Sequence, residues 1–354
     1  MSGAVLITGG AGFVGTNLAA RLVAAGRPVI VFDNLARAGA EQNLRWLRET
    51  CAKHLRVRIG DTRDAAALVE AVAEAAQVYH FAAQVAVTSS LEDPIADFEV
   101  NLRGTLNLLE AIRHSPQRPP VVFTSTNKVY GALTDVELET GETRYRPVDP
   151  RLRASGVAES RPLDFHSPYG CSKGGADQYM LDYARSFGID AVVLRMSCIY
   201  GPHQFGNEDQ GWVAHFLIRA LERRTITLYG DGRQVRDVLY IDDLVDALLV
   251  CQERIAQLGG HAFNIGGGPA NTVSLIELLE RIGKLTGRVP AVTHAPWRVG
   301  DQRYYVSDTH AFHVATGWRP RVSVADGVAR LCNWLAAQRR PHEAVAQIAG
   351  SAAA

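Results

Sequence analysis

The chain has 354 residues, of which 47% are hydrophobic, 21% charged and 8% aromatic, and its formal net charge is zero. This composition is typical of a globular enzyme with one large domain or two closely joined ones, and it provides no basic surface for nucleic acid or an anionic membrane. No apolar run reaches the ~20 residues that span a bilayer, and no basic stretch precedes the first apolar run, so neither a membrane helix nor a signal peptide is expected.

The first half of the chain alternates apolar runs typical of buried strands with segments of helical periodicity. Because strands buried on both faces and separated by helices form parallel sheets, this pattern predicts an α/β fold with a doubly wound, Rossmann-type parallel sheet. The predicted strands are Ala4–Thr8, Pro28–Asp33, Leu55–Ile59, Val78–Ala82, Val121–Ser125 and Ala191–Arg195, and the predicted helices are Phe13–Ala25, Glu41–Cys51, Ala65–Ala76, Pro94–His114 and Ser167–Phe187.

After Ser197 the alternation ends, and glycine and proline become frequent. A mixture of short strands and helices there predicts a smaller C-terminal α/β lobe, to which we assign substrate binding. The helices predicted in this lobe are Trp212–Glu222, Asp242–Gln252 and Ser274–Thr286.

These patterns predict a Rossmann domain over 1–198, a substrate lobe over 199–338, and a tail over 339–354, with some segments of the lobe returning to the first domain. The stretch Thr134–His166 is polar and is predicted to be a loop, which could serve as a lid. The Ala-rich tail beyond Arg340 is predicted to be frayed or disordered.

Three glycines, Gly9, Gly12 and Gly15, lie between the first strand and the first helix. In this position the first glycine allows a tight turn, the second lets backbone N–H groups approach a pyrophosphate, and the third lets the helix pack on the strand. The helix N-terminus, with Phe13 and Val14, then faces the phosphates. The pattern predicts a dinucleotide-binding turn, and the alternative is a glycine-rich strand–helix turn without a ligand.

Asp33 ends the second predicted strand, where an acid can accept hydrogen bonds from the adenosine ribose hydroxyls of a dinucleotide. A carboxylate there repels a 2′-phosphate, so NAD is favoured over NADP. Residues that follow strands at the same edge of the sheet are predicted to complete the cofactor site, and the alternative for each is a plain strand–helix loop. They are Asn34, Asp61, Thr62, Phe81, Ala82, Ala83 and Gln84.

Tyr169 and Lys173 lie four residues apart on one predicted helix, so their side chains project to one face. We expect the Lys173 ammonium and an oxidised nicotinamide to lower the pKa of the Tyr169 phenol toward the working range. The phenolate would then take a hydroxyl proton while hydride leaves the same carbon. Thr126, at the end of the fifth strand, is the third predicted catalytic residue. The alternatives are a surface coincidence for the pair and a strand cap for the hydroxyl.

The five cysteines are dispersed without a close pair, which favours free thiols in a reducing cytoplasm over disulfides or a zinc site. His203 has Glu208 and Asp209 nearby but no further ligand at helical spacing, so no metal site is predicted. The protein is accordingly expected to be cytoplasmic.

Together these residues resemble the extended short-chain dehydrogenase/reductase family of nucleotide-sugar epimerases and dehydratases, over residues 4 to about 338. The resemblance implies NAD as cofactor, a nucleotide-diphosphate sugar as substrate, and a homodimer or homotetramer formed through helices Pro94–His114 and Ser167–Phe187. The features that match are Thr8–Gly15, Asp61, Asn101, the strand-end hydroxyls, Tyr169 with Lys173, and Arg233–Asp237.

The resemblance also implies roles for single residues. Asn101, Tyr169 and Lys173 would contact the cofactor, and Arg233 would meet the diphosphate, for which a guanidinium is well suited. Arg303 is a second candidate for the diphosphate. The remaining predicted substrate contacts are Thr126, Asn127, Lys128, His166, Gln204 and Asp237, with His203 as a further possible contact to the sugar.

Within the family, the 4,6-dehydratases carry Asp-Glu after the strand-end threonine, and this chain has Asn127 and Lys128 there. Elimination is therefore disfavoured, whereas removal and return of hydride need neither carboxylate. Long runs resemble the CDP-hexose 2-epimerases of the family, namely Ser125–Gly131, Asp164–Gly174, Ala176–Arg185 and Asp209–Val213. This resemblance implies inversion of C2 through a 2-keto sugar. The alternatives are a UDP- or dTDP-sugar 4-epimerase, a net NAD-dependent oxidoreductase, and a non-catalytic NAD-sensing protein.

Overall fold

The computed structural model describes the backbone of residues 3–351 and the side chains of residues 3–339. Its strands, in chain order, are β1 (Ala4–Thr8), β2 (Val29–Asp33), β3 (Leu55–Ile59), β4 (Ala75–His80), β5 (Val121–Thr126), β6 (Leu138–Thr140), β7 (Tyr145–Pro147), β8 (Ala191–Met196), β9 (Cys198–Tyr200), β10 (Ile226–Tyr229), β11 (Val235–Tyr240), β12 (Ala262–Ile265), β13 (Thr272–Ser274), β14 (Val292–Ala295) and β15 (Tyr304–Tyr305).

The α-helices are α1 (Phe13–Ala24), α2 (Ala40–Cys51), α3 (Ala65–Ala73), α4 (Val87–Glu92), α5 (Pro94–Phe98), α6 (Gly104–His114), α7 (Pro150–Ser155), α8 (Ser167–Phe187), α9 (Trp212–Leu221), α10 (Ile241–Glu253), α11 (Ile255–Leu258), α12 (Leu275–Thr286), α13 (His310–Thr316) and α14 (Val324–Ser351). No helix among the described residues is both long and apolar enough to cross a membrane.

The largest sheet has seven strands in the order β12-β8-β5-β4-β1-β2-β3, and every neighbouring pair is parallel. Alternate residues of β1 enter hydrophobic cores on opposite faces of this sheet. Val5 and Ile7 pack with residues of α1, α2 and α10, whereas Leu6 packs with residues of α3, α6 and α8. The predicted doubly wound, Rossmann-type sheet is therefore confirmed.

Two elements from the second half of the chain join this sheet. Strand β12 pairs with β8 at one edge, and α10 packs against α1. Most of the remaining second-half strands form two smaller sheets, one joining β13, β11, β15 and β9 and the other β10 and β14. The domain boundary at residue 198 and the return of a segment to the first domain stay predictions, with which the positions of α10 and β12 agree.

The segment Thr134–His166 differs from its predicted loop. It contains the β6–β7 hairpin and α7, and it is fixed by backbone bonds, since the Val157 N–H donates to the Val306 carbonyl at 2.7 Å. In addition, Arg144 Nε donates to Glu277 Oε1 at 2.6 Å. The loop prediction was wrong because these stabilising partners lie far away in sequence.

Two further predictions, of one helix and of the tail, also need correction. The single helix predicted over Pro94–His114 consists of α5, a π-helical turn at Glu99–Arg103, and α6. Helix α14 continues to Ser351, so its backbone includes most of the predicted frayed tail. Residues 352–354 and the side chains beyond 339 lie outside the described part of the chain.

Candidate active site

The first turns of α8 bring a tyrosine and a lysine to the carboxyl edge of the large sheet. The helix starts at Ser167 and has Pro168 in its first turn, which suits proline because no helical N–H is lost there. Tyr169 and Lys173 then lie one turn apart on the buried side, with only 9% and 4% of their surfaces exposed. The pair is thus a part of the protein interior at a sheet edge, and not a surface coincidence.

The Lys173 ammonium is held by the neighbouring strand. Its Nζ donates to the Thr124 carbonyl at 2.7 Å and lies 4.0 Å from the centre of the Phe123 ring. Burial lowers the pKa of Lys173 to about 7, and the nearby carboxylates of Asp177 and Asp97 oppose that shift. Lys173 is therefore a cation that depends on its surroundings to remain charged near neutral pH.

The hydroxyl of Thr126, at the end of β5, lies near enough to the phenol of Tyr169 to lower its pKa. Burial raises the pKa of Tyr169 to about 12, and the Thr126 hydroxyl and the charge of Arg37 act against this rise. Lys173 is not among the groups that lower this pKa, so that part of the expectation was wrong, and desolvation of the phenolate dominates. The lowering by an oxidised nicotinamide stays a prediction. Arg37, which sequence reasoning missed, lies in the loop after β2 and donates to Gln210.

The glycine turn is packed so closely on the surrounding backbone that larger residues would not fit at Gly9 or Gly15. Gly9 has a φ of +68°, and a Cβ there would lie 2.6 Å from the backbone nitrogen of Ala82. A Cβ at Gly15 would lie 2.4 Å from the Gly9 carbonyl oxygen, so the helix packs directly on the turn. Gly12 is the N-cap of α1 and leaves the N–H groups of that helix end uncovered by any capping side chain. Phe13 and Val14 form the first turn behind it.

Asp33 joins the end of β2 to the glycine turn. One carboxylate oxygen accepts from the Ala11 N–H at 3.0 Å and the other from the Leu35 N–H at 2.8 Å. Burial raises the pKa of Asp33, while these backbone N–H groups lower it. Each oxygen keeps a lone pair for a further donor, as a ribose hydroxyl would be.

The exposed edge beyond Asp33 holds another acidic residue. Asn34 donates to Asp61 Oδ2 at 2.9 Å, and Arg63 donates to both oxygens of Asp61, so the pKa of Asp61 lies well below its usual range. Thr62 is buried against Gly104, so its hydroxyl is less accessible than the Asp61 carboxylate. Asp61 and Asn34 are thus close together, as expected of two residues predicted to contact one ligand.

The loop after β4 carries Phe81, Ala82, Ala83 and Gln84 along the sheet edge. Gln84 has a buried Oε1 that lacks a hydrogen-bond partner among the described residues. Asn101, in contrast, is fully engaged: its Oδ1 accepts from the Gln84 N–H at 2.8 Å, and its amide donates to Asp97 and Ser172. Asn101 therefore connects the loop of residues 81–84, which we call the cofactor loop, to α8, and its own polar groups are already hydrogen-bonded.

The loop after β9 closes over the glycine turn. Asn17 donates to the Pro202 carbonyl at 3.0 Å. Asn43 donates to the carbonyls of Ala11 at 3.1 Å and His203 at 3.2 Å, so one buried amide joins the two lobes. Sequence reasoning missed both asparagines, since nothing local signals a bond to a loop so far along the chain.

His203 packs between aromatic rings of the protein at this contact between the loop and the glycine turn, and not at the predicted contact to the sugar. Its ring lies 4.1 Å from that of Trp46 and 5.1 Å from that of Trp334, between centroids. Burial lowers the pKa of His203 to about 4, so the ring is neutral at pH 7. Gln204 is buried beside it and donates to the Ile199 carbonyl at 3.1 Å, while its Oε1 has no partner among the described residues.

The substrate end of the cleft contains two cations near one carboxylate. Lys128 donates to the Gly300 carbonyl at 3.1 Å and lies 4.0 Å from Asp301, while Arg236 donates to Asp301 at 2.7 Å. Burial and the charge of Arg236 lower the pKa of Lys128 to about 8. Asn127, just before Lys128, donates to Gln302 Oε1 at 2.9 Å.

Arg236, and not Arg233, is therefore the arginine that the structure places beside Asn127 and Lys128. Arg233 points to the β6–β7 hairpin, where its Nε lies 3.2 Å from the carbonyl oxygens of Gly141 and Glu142. The two arginines differ because the chain enters β11 between them, which turns their side chains in different directions. Arg236 was missed although it belongs to the same sequence block.

Three other predicted substrate residues are placed apart from this cluster. Asp237 is fully buried, where it accepts from Ser197 Oγ and from the Gly268 N–H at 3.0 Å, so it stabilises the lobe from within. Arg303 lies over the rings of Tyr145 and Trp297. His166 is exposed, with its Nε2 3.0 Å from Asp164. Among the described residues, no group of three or more His, Cys, Asp or Glu side chains is arranged to hold a metal ion.

The sequence profile of the NAD dependent epimerase/dehydratase family matches residues 5–266. The chain belongs to this family. It is 43% identical to CDP-paratose 2-epimerase of Salmonella typhi, over 93% of this chain and 98% of the relative. It is 34% identical to a dTDP-glucose 4,6-dehydratase of an Actinoplanes species, over 95% and 98% of the two chains. The family expected from the motifs is therefore confirmed.

A solved structure supports the same assignment. The UDP-glucose 4-epimerase of Thermus thermophilus in complex with NAD is 34% identical, with a TM-score of 0.76, and the match covers 94% of this chain and 98% of that one. As a family member the protein is an NAD-dependent enzyme, and its own residues fit that cofactor. The tight glycine turn, the uncapped start of α1, the Asp33 carboxylate and the Gln84 Oε1, which has no partner among the described residues, supply the close backbone approach and the polar groups that a dinucleotide requires.

Proposed function

We propose that this NAD-dependent enzyme is an epimerase that inverts C2 of a CDP-linked hexose. The observation that carries the proposal is the buried group of Tyr169, Thr126 and Lys173, followed directly by Asn127 and Lys128 in place of an acidic pair. The first three residues suit oxidation and reduction at a carbinol carbon. The absence of carboxylates at the next two positions argues against elimination of water. The similarity to a CDP-paratose 2-epimerase over nearly the whole chain supports the choice of nucleotide and carbon.

NAD, when bound, supplies the site that takes hydride from C2 and later returns it. Tyr169, as phenolate, removes the proton of the C2 hydroxyl, and the Thr126 hydroxyl donates to the same sugar oxygen. The Thr126 hydroxyl and the charge of Arg37 oppose the rise that burial causes in the pKa of Tyr169, and an oxidised nicotinamide would add a positive charge beside the phenolate. Lys173, as an ammonium, would hold the nicotinamide ribose. After the 2-keto sugar has turned its other face toward the cofactor, Tyr169 gives the proton back, and C2 is inverted.

This reaction requires tight binding of the nucleotide and weak binding of the sugar. We assign the grip on the diphosphate to the two cations around Asp301, namely Arg236 and Lys128. A guanidinium binds phosphate oxygens in a bidentate manner, which holds the nucleotide in register while the hexose turns. Asn127, already bonded to Gln302, is placed to contact the sugar without holding it rigidly.

The experiment that tests the proposal is incubation with CDP-, UDP-, GDP- and dTDP-hexoses, followed by NMR of the C2 and C4 configurations. We expect inversion at C2 of a CDP-hexose such as CDP-paratose, without net consumption of added NAD. Inversion at C4, with any nucleotide, would contradict the proposal and support the 4-epimerase alternative. Stoichiometric consumption of a reduced or oxidised cofactor would support a net oxidoreductase.

Two further features remain proposals. Exposed apolar residues lie on α5 and α8, which we propose pair with their copies in a homodimer, or in a homotetramer built from it; they are Ile95, Phe98, Tyr179 and Phe187. Sedimentation or light scattering would test this assembly. The five free cysteines are consistent with the cytoplasmic location that we propose.

A further inference from the structure

Asp97 is a buried carboxylate that no step of the proposed reaction uses. It lies in α5, packs against α8, and has only 1% of its surface exposed. Its Oδ1 accepts from Asn101 Nδ2 at 3.1 Å, and its Oδ2 accepts from the Ser172 hydroxyl. A buried charge is costly unless it is compensated, so the groups around Asp97 define what it does.

Its two partners connect both functional parts of the site. Ser172 directly precedes Lys173, and its Oγ lies 3.3 Å from the Tyr169 carbonyl oxygen. Asn101 donates to the same Ser172 Oγ at 3.0 Å and accepts from the Gln84 N–H, at the cofactor loop. Asp97 thus closes a network that fixes the Tyr169–Lys173 turn of α8 relative to the cofactor loop.

The charges around the ammonium make Asp97 distinctive. Two carboxylates act on Lys173, those of Asp177 and Asp97. Asp177 is neutralised, since both of its oxygens accept from the Arg195 guanidinium at 2.9 Å. Among the described residues, Asp97 is hydrogen-bonded only to the neutral groups of Asn101 and Ser172, so no cation pairs with it directly. Burial raises the pKa of Asp97, and the bond from Ser172 and the charge of Lys173 act against this rise.

The other titratable groups near this network do not replace Asp97. The His80 ring is buried, and its pKa falls to about 3, so it carries no charge near neutral pH. Arg37 lowers the pKa of the Tyr169 phenol and does not act on Lys173, whereas Asp97 raises the pKa of that phenol as well as that of Lys173. On the segment after Asp97, Glu99 pairs with Arg103 at 3.8 Å on the exposed side. Asp93 caps the start of α5 by accepting from the Ala96 N–H.

We propose that Asp97 is a positioning residue: through Ser172 and Asn101 it places the catalytic turn, and its charge keeps Lys173 protonated during turnover. Only the part of this inference that concerns turnover rests on the proposed function. The effect on the ammonium is a property of the folded chain and can be measured without substrate.

The first test is the titration of Lys173 itself. The chain has only four lysines, Lys53, Lys128, Lys173 and Lys284, so a ¹³Cε-lysine NMR spectrum is simple, and Lys173→Arg assigns the signal. In Asp97→Asn, which keeps the shape and removes the charge, the pKa of Lys173 should fall by roughly one unit or more, since at an effective dielectric near 20 two charges even about 12 Å apart interact by ~1.4 kcal/mol, which is one pKa unit. Asp97→Glu and Ser172→Ala, which keep the charge, should leave it within about 0.3 units.

The second test is the dependence of kcat on pH in the NAD-loaded enzyme. The limb at high pH, where Lys173 loses its proton, should move to lower pH in Asp97→Asn by the same amount as in the NMR titration. Ser172→Ala should lower kcat at every pH without moving the limb. If Asp97→Asn is not folded by calorimetry, Asp97→Ser provides a second neutral variant.

A folded neutral variant with an unchanged Lys173 pKa would overturn the proposal, because Asp97 would then be structural only. An equal shift in Ser172→Ala would overturn it as well, since geometry alone would explain the effect. If the wild-type enzyme converts no nucleotide sugar, the proposed function fails, while the NMR titration still decides whether Asp97 governs the protonation of Lys173.

Discussion

The two ends of the active-site cleft are built in different ways. At the sheet end, Tyr169 and Lys173 project from one helix and meet Thr126 at the end of one strand, so regular secondary structure sets their geometry. At the substrate end, Lys128 and Arg236 meet around Asp301, and the three residues come from three separate segments. Regular secondary structure therefore fixes the reacting groups, whereas the residues proposed to bind the substrate depend on how loops and short strands pack together.

This contrast agrees with the range of relatives. Proteins named for CDP-, UDP- and dTDP-linked sugars match 93% to 95% of this chain at 31% to 43% identity. A scaffold that fixes the oxidising groups can serve all of them, while the segments around the substrate change. Variants at the two ends should therefore affect different kinetic parameters.

The largest effect is expected from Tyr169→Phe at the sheet end. Removal of the proton acceptor should lower kcat by roughly 10³-fold, within the range that general acid–base catalysis contributes. Binding of NAD and of the CDP nucleotide, measured by calorimetry, should change little because the ring still fills its place. Tyr179→Phe, on the exposed side of the same helix, is the matched control. A Tyr169→Phe enzyme with near-normal turnover would remove Tyr169 as the base.

At the substrate end, Arg236→Gln should raise the KM of the nucleotide sugar about 10- to 100-fold. A charged hydrogen bond to a diphosphate is worth about 1.5–3 kcal/mol, and kcat should stay within a few-fold because the reacting groups are untouched. Arg233→Gln is the matched control, since this arginine binds carbonyl oxygens of the hairpin instead. A larger rise in KM for Arg233→Gln than for Arg236→Gln would reverse our assignment.

The free energy of unfolding should also fall in acid, because of a buried histidine at the sheet end. His80 is buried between Thr8 and Thr105, to which its ring nitrogens are bonded at 2.6 and 3.0 Å, and its pKa is about 3 in the folded state. The unfolded chain takes up the proton near pH 6.5, so the stability is complete above that pH and is lost as the pH falls toward 3. Between pH 7 and pH 5 the loss due to His80 should be about 2 kcal/mol.

Urea unfolding at pH 7 and pH 5 measures this effect. His80→Gln should lose about 2 kcal/mol less than the wild type over that interval, whatever its stability at pH 7. His310→Gln, at an exposed position, should behave like the wild type. An equal pH dependence in His80→Gln and the wild type would show that His80 does not resist protonation.

The smallest effect is expected where the two lobes touch over the glycine turn. Asn43→Ala removes the amide that joins Ala11 to His203, so release of bound NAD should become about three- to tenfold faster, as for the loss of one hydrogen bond. Exchange with labelled NAD measures this rate. Asn271→Ala, which loses a buried amide contact to the Val324 N–H away from the turn, should leave it unchanged. Equal rates in Asn43→Ala and the wild type would contradict a closing role for this contact.

Much of the sheet end follows from the sequence because its signals are local. Each signal lies within a short stretch of sequence: the spacing from Gly9 to Gly15, the acid Asp33 at a strand end, and the four-residue interval between Tyr169 and Lys173. The fold places all of them at one edge of the parallel sheet, as the alternation of strands and helices predicts. The pKa of Tyr169 did not follow, because it depends on how completely the surrounding residues exclude water.

The sequence by itself determined the order of the elements, the family, and the residues that the secondary structure presents at the sheet edge. Only the tertiary structure decided that Arg236 and not Arg233 meets Asp301, that Asp97 lies under the catalytic turn, and that Asn43 joins the two lobes. Periodicity and spacing report on neighbours along the chain. Partners brought together from distant segments depend on packing and burial, and those exist only once the chain has folded.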